Sequence, residues 1–130
     1  MPQKQGNSSS SGGRIDGSLG AAAVAANFVL GAGWGATATI AVTAGSTDQR
    51  GTITITASAT PAQATATVTH SFADGAFASA PFPRISTTND NALDTGSFAI
   101  TSRTTTGSVW THAVLPVAAK IYIADYCYVA

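Results

Sequence analysis

The chain has 130 residues, no net charge and only 9% charged side chains, which fits one domain and excludes the strongly basic surface that binds nucleic acid or anionic lipid. Ala, Thr, Ser and Gly supply 71 of the residues and Glu is absent, so β-structure is favoured over helix. The single cysteine excludes an internal disulfide and a cysteine-based metal cage. No apolar run approaches the ~18 residues of a membrane-spanning helix. We therefore expect no nucleic-acid partner and no membrane partner.

Residues 1–20 are polar and rich in Gly and Ser, and they offer only Ile15 and Leu19 for burial. Such a segment cannot offset the entropy of its own ordering, so its contacts have to come from another molecule. Fully extended, it would span ~65 Å at about 3.3 Å per residue, enough to leave one subunit and lie across another. We predict an extended N-terminal arm that docks on another molecule or subunit through Ile15 and Leu19. The alternative is a leader segment left by expression.

The next part of the chain shows short apolar alternations separated by turn residues. Glycines around Trp34 end the first of these segments. Ile40 lies on the apolar face of the second segment, and Ile53 and Ile55 lie on that of the third, so the two segments form a predicted hairpin across the turn at 44–51. A fourth segment extends this hairpin to a predicted three-stranded meander. The predicted strands are residues 23–30, 36–43, 52–60 and 64–72.

The second half continues the pattern after an irregular crossing at 73–84, which contains two prolines. A short edge strand follows it, and a loop with the sequence NDNALDTG precedes the last three strands. The predicted strands here are residues 85–88, 97–104, 108–114 and 121–129. Short strands at this spacing are typical of sandwiches, so residues 21–130 are predicted to form one all-β domain, an antiparallel eight-stranded sandwich of jelly-roll type.

The last strand is apolar on both faces, which makes its orientation ambiguous. One face carries Tyr122, Tyr126 and Tyr128, and we predict that these three tyrosines form an exposed subunit interface together with His70. The alternative is that they face the opposite sheet of the same sandwich. Cys127 lies on the other face and is predicted to be buried. Asp125 shares that face and is predicted to pair with Arg84 or Arg103.

Titratable groups that could perform catalysis are few, since the chain has two histidines, six aspartates and one cysteine. His70 and His112 are expected to be hydrogen-bonded core or interface residues, because no nucleophile or metal ligand stands at a recognisable spacing from them. A zinc site formed by His70, His112, Asp125 and Cys127 has no motif support. A calcium site in the loop 89–94 is weakly indicated by its oxygen-rich side chains. We predict no catalytic, metal or cofactor site.

Several turn and strand motifs resemble the small all-β modules of tailed-bacteriophage virions, which occur as head decoration proteins and at the ends of tail fibres. The shared pattern is a Gly/Asp turn, a G-x-I-x-[IV]-T strand, a Thr-Pro turn, a V-x-[VF] strand, a proline-flanked crossing and a T-S-x-T-x-T-G segment. The resemblance covers roughly residues 36–115. The matching positions are Asp48, residues 51–56, Thr60 and Pro61, residues 68–72, residues 81–83 and residues 101–107.

The resemblance implies a trimeric, non-enzymatic structural protein. The expectation is a capsid decoration or cement protein, a homotrimer on the outer surface of the virion that binds the major capsid protein through its β-domain and N-terminal arm. Its contacts would be apolar burial and the extension of exposed sheet edges. The alternative is a fibre or spike module that binds a host glycan through Trp34, Trp110 and the loops at 73–84 and 89–94.

Overall fold

A computed structural model describes residues 21–62, 64–87 and 97–129. These residues form two four-stranded antiparallel sheets that pack face to face, so the predicted all-β sandwich is confirmed. The first sheet has the strand order β1-β4-β7-β6, and the second has the order β2-β3-β8-β5. The strands are β1 Phe28–Leu30, β2 Thr39–Val42, β3 Arg50–Thr56, β4 Thr67–Ser71, β5 Phe82–Thr87, β6 Phe98–Thr104, β7 Gly107–His112 and β8 Ile121–Val129.

The hairpin of β2 and β3 forms in the predicted register. Ile40 lies opposite Ile55, and Val42 lies opposite Ile53. Ile53 and Ile55 are fully buried, whereas the threonines between them lie on the outer face. Strict alternation with period two places all β-branched apolar side chains of β3 on one face, and the opposite sheet covers that face.

The predicted three-stranded meander is wrong, because β4 does not pair with β3. Instead β4 crosses to the other sheet and lies between β1 and β7, with Val68 opposite Trp110. Alternation in the sequence shows which side chains of a strand point inward. It does not show whether the strand joins the same sheet as its predecessor or the facing sheet, because the pattern is identical in both cases. The jelly-roll type is not confirmed, since β8 pairs with β3 and β5 while β1 pairs with β4.

The predicted edge strand after the proline crossing is confirmed, although it begins earlier than expected, at Phe82. The first strand is shorter than predicted. Its N-terminal part is a 3-10 turn over Ala25–Asn27, and a second 3-10 turn covers Ala32–Trp34. Gly33 in that second turn lies so close to the chain at 64–65 that a Cβ would come within 2.4 Å of the Thr65 carbonyl oxygen. Only glycine fits there.

The strands end at two opposite ends of the sandwich, which differ in composition. The turn end carries residues 43–49, 72–81 and 105–106, and the loop end carries residues 31–38, 57–62 and 113–120. The first described residues lie at the turn end, where Ala22 forms an isolated bridge with Thr47 and the Asp48 N–H donates to the Ala21 carbonyl oxygen.

Candidate functional site

The three tyrosines of β8 lie inside the sandwich. Tyr122, Tyr126 and Tyr128 are at most 2% exposed, and His70 is fully buried. The prediction of an exposed aromatic interface is therefore wrong, and the alternative, that the tyrosines face the opposite sheet, is what the structure has. Each phenol oxygen has a hydrogen-bond partner inside the protomer, which removes the usual cost of burying a hydroxyl group.

His70 ends a chain of buried hydrogen bonds that joins the two sheets. The Trp110 indole N–H donates to the Ser108 hydroxyl at 2.6 Å, the Ser108 and Tyr128 hydroxyls are 2.6 Å apart, and the Tyr128 hydroxyl lies 2.8 Å from His70 Nδ1. The indole can only donate. Trp110 is therefore the donor at one end of the chain, and Ser108 and Tyr128 connect it to Nδ1 of His70 at the other end.

The environment of His70 strongly favours the neutral ring. Its imidazole stacks on Phe28 with the centroids 4.2 Å apart, and other aromatic rings surround it. Burial lowers the pKa of His70 to about 3, and burial also raises the pKa of Tyr126 and that of Tyr128. His70 Nε2 has no hydrogen-bond partner among the described residues. The cluster is thus a closed structural element of the core.

His112 holds the loop that follows β7. Its Nδ1 lies 2.7 Å from the Val114 carbonyl oxygen, and its ring packs against Trp34, Phe98 and Tyr122. The Val117 N–H donates to the Tyr122 hydroxyl at 2.8 Å, so a second core residue fixes the same loop. The sequence predicts that His70 and His112 are hydrogen-bonded residues of the core or of an interface. Both are hydrogen-bonded residues of the core.

Trp34 and Trp110, the proposed sugar-stacking residues, are both fully buried. Trp34 donates its indole N–H to the Thr67 carbonyl oxygen at 2.9 Å. Neither ring is available to a ligand, so this part of the glycan prediction is wrong. The two rings are buried because a core rich in alanine needs large side chains to fill the space between the two sheets.

Two predictions for the other face of β8 are also wrong. Cys127 is exposed rather than buried, because the tyrosines occupy the inward positions of the strand. Asp125 accepts a hydrogen bond from the Thr52 hydroxyl at 2.5 Å instead of pairing with an arginine. The Arg103 guanidinium donates to the Ala80 carbonyl oxygen at 2.8 Å and lies 3.9 Å from the centroid of the Phe82 ring.

Asp48 is a structural residue whose role sequence reasoning missed. It is fully buried in the turn between β2 and β3, and its two carboxylate oxygens accept the backbone N–H groups of Ala73 and Asp74 at 2.7 and 2.8 Å. It thereby ties the turn end of the second sheet to the crossing at 72–81. An aspartate inside a Gly- and Ser-containing turn is the available signal, since such side chains commonly bind nearby backbone N–H groups.

The loop end carries an exposed apolar surface that the sequence interpretation treated only as a connection. We call it the loop patch, and it consists of Val114, Leu115, Val117 and Ile121. Their side chains are 38 to 47% exposed although each is aliphatic. Because His112 and Tyr122 hold the loop backbone, the patch is presented in a fixed conformation.

Predictions for Ile15, Leu19 and the loop 89–94 lie outside the described residues. Within the described ranges, no group of three or more His, Cys, Asp or Glu side chains could hold a metal ion. No helix in the described part of the chain is long and apolar enough to cross a membrane. Comparison of the chain with protein-family models, with curated proteins and with solved structures finds no match.

Proposed function

We propose that this chain is a non-enzymatic structural protein of a tailed-bacteriophage virion, a decoration or cement protein that binds the outer surface of the capsid. Its proposed partners are the major capsid protein and two further copies of itself in a homotrimer. The observation that carries the proposal is the loop patch, in which four aliphatic side chains are exposed at one end of a neutral domain. Exposed aliphatic side chains grouped at one end of a domain are a feature of protein contact surfaces.

The proposed mechanism is burial of the loop patch against assembled capsid subunits. Removing aliphatic side chains from water supplies the free energy of binding, and it needs no charge on either partner. The protein then stabilises the particle by mass action, because it binds assembled capsid in preference to separated subunits. The rigid loop lowers the entropic cost of this contact, since its backbone is already fixed by His112 and Tyr122.

Extension of exposed sheet edges, the other expected kind of contact, has little support in the described strands. Of the edge strands, β1 has three residues and β2 has four. Edge strand β5 contains Pro83, which lacks an N–H group, and edge strand β6 has a register shift between Ile100 and Ser102. Short strands, prolines and bulges are devices that prevent a sheet from pairing with another chain. We therefore assign the capsid contact to side chains.

The jelly-roll type and the N-terminal arm with Ile15 and Leu19 stay predictions within this proposal. The position of Ala21, the first described residue, sets the distance that such an arm would have to cover to reach the loop patch. Ala21 lies at the turn end, whereas the loop patch lies at the loop end. β8 has nine residues and so spans about 30 Å, roughly half of the ~65 Å that 20 extended residues cover. An arm of this length can pass the whole domain.

The alternative is a fibre or spike module that binds a host glycan, and the residues proposed to bind the glycan are not available for it. Trp34 and Trp110 lie in the core, and the loop 89–94 lies outside the described residues. Phe82 is an exposed aromatic residue of the crossing region, but Arg103 covers one face of its ring. A sugar-stacking platform would have to use the remaining face.

The proposal is tested by adding purified variants to capsids that lack the protein and measuring occupancy by quantitative gel analysis. Leu115→Asp places a charge in the loop patch, so we expect at least about tenfold weaker binding than for the wild-type chain. Val29→Asp is the matched control, since Val29 is 60% exposed and lies in edge strand β1, outside the patch. Equal occupancy by Leu115→Asp and wild type, with unchanged melting temperatures, would overturn the proposal.

A further inference from the structure

The outer face of the second sheet contains a notch between two arginines. Cys127 in β8 lies directly opposite Arg50 of β3 on one side and Arg84 of β5 on the other, and all three side chains are exposed. Neighbouring strands are about 4.8 Å apart, so the Cα atoms of the two arginines are roughly 10 Å apart. The thiol is much shorter than an arginine side chain, which leaves space between the two guanidinium groups. We call Arg50, Cys127 and Arg84 the arginine notch.

The arginine notch is net positive. In the residues that the structure describes, neither the Arg50 nor the Arg84 guanidinium forms a hydrogen bond or an ion pair. Asp125 is the diagonal neighbour of both arginines, but it is half-buried and already accepts the hydroxyl of Thr52. Two guanidinium groups with all their N–H donors open to solvent therefore stand on either side of one small side chain.

Apolar side chains lie beside the arginine notch on the same two strands. Val129 of β8 lies opposite Phe82 of β5, and their side chains are 43% and 57% exposed. Arg103 holds the Phe82 ring from the first sheet, since its guanidinium carbon lies 3.9 Å from the ring centroid and it donates to the Ala80 carbonyl oxygen at 2.8 Å. Cys127 and Val129 are two residues apart, so the apolar pair lies about 6.8 Å from the centre of the notch.

An extended peptide matches this spacing. Its side chains at positions i and i+2 point to the same side and are also about 6.8 Å apart. A carboxylate over Cys127 can accept charge-assisted hydrogen bonds from both guanidinium groups, while an aliphatic side chain two positions away covers Val129 and Phe82. We propose that the arginine notch and this apolar pair dock an extended segment of another protein, in which one residue separates an acidic residue from an aliphatic one.

Two observations favour a protein segment over a nucleic acid or an anionic glycan. Two arginines neutralise too few charges for a polyanion, whose binding requires a long basic surface. Arg103 covers one face of the Phe82 ring and aliphatic Val129 lies beside it, a surface that an aliphatic side chain fits better than a sugar ring does. The inference goes beyond the proposed function, because it concerns a second contact of different chemistry. Six residues of β8, or about 20 Å, separate Cys127 from Ile121 of the loop patch.

The test uses the capped peptide Gly-Ser-Glu-Thr-Leu-Ser-Gly, whose only charge is the glutamate. It is titrated at low salt into the isotope-labelled full chain, and backbone amide shifts in the NMR spectrum report dissociation constants down to the expected strength of about 1 mM. We expect the shifts to centre on Cys127 and Val129, and Arg84→Gln to weaken binding at least about fivefold. Lys120→Gln is the matched control, because it removes one positive charge outside the notch and should bind as wild type does.

Variant peptides and other anions test the assigned partner. Replacing the glutamate by glutamine, or the leucine by alanine, should weaken binding at least about twofold. No titration of the wild-type chain overturns the proposal, and so does equal binding by wild type and Arg84→Gln. Equal weakening by Arg84→Gln and Lys120→Gln overturns the notch as the site, since net charge alone then attracts the peptide. Acetate binding as tightly as the peptide, or a hyaluronan tetrasaccharide binding more tightly, overturns the assignment to a protein segment. Capsid occupancy of Leu115→Asp is independent of all these results.

Discussion

Buried, neutral His70 makes the stability of this domain depend on pH in a defined window. The pKa of His70 is lowered by burial from its ordinary value of 6.5 to about 3 in the folded chain. The unfolded chain therefore binds a proton at pH values where the folded chain does not, so stability is complete above about pH 6.5 and is lost as the pH falls toward about 3. The shift corresponds to about 5 kcal/mol in full, and about 2 kcal/mol of it is lost at pH 5.

The measurement is urea unfolding of the wild-type chain and of His70→Gln at about pH 8 and about pH 5. Gln does not titrate, so the free energy of unfolding of wild type should fall by about 2 kcal/mol more than that of the variant. Val68→Ala is the matched control, because Val68 is fully buried two residues away on the same face and its loss leaves His70 in place. Its pH dependence should equal that of wild type. Equal pH dependences for wild type and His70→Gln would show that His70 is not the group whose protonation destabilises the fold.

Three further substitutions test other contacts by chemical denaturation. Asp48→Ala removes the acceptor of two backbone N–H groups and should cost about 2–4 kcal/mol; a loss below about 0.5 kcal/mol would show that the turn does not depend on it. Tyr128→Phe leaves Ser108 and His70 without their shared partner and should cost about 1–3 kcal/mol, whereas an unchanged midpoint would show that the buried hydrogen bonds of Tyr128 do not stabilise the core. Cys127→Ser should change stability by less than about 0.5 kcal/mol, since the thiol is exposed, and a larger loss would indicate burial.

The faces of β2 and β3 could be predicted from the sequence, because Ile40, Val42, Ile53 and Ile55 alternate with threonine or alanine there and only one face can be buried. The face of β8 could not, because Ile121, Ile123 and Val129 compete with three tyrosines. Volume decides the outcome. Inward positions such as Ala57, Ala66 and Ala124 are small, so the rings of Tyr122, Tyr126 and Tyr128 fill the space between the sheets and their hydroxyls find partners. Cys127 is exposed as a direct result.

The candidate surfaces were harder to predict than the fold. The aliphatic residues of LPVAAK stand in a connection between strands, where periodicity carries no information on burial. Their exposure depends on His112 and Tyr122, which hold the loop from the core. The surroundings of Cys127 depend on register, since Arg50 and Arg84 are distant in sequence and lie on its two sides only because both strands pair with β8.

Counting the copies of this chain in purified virions with isotope-labelled standard peptides tests whether it is a capsid decoration protein. A decoration protein repeats with the capsid lattice, so we expect a copy number on the order of hundreds, in fixed proportion to the major capsid protein. A few tens of copies or fewer, located at the tail, would contradict it in favour of a fibre or spike module. Absence of the chain from the particle would contradict both.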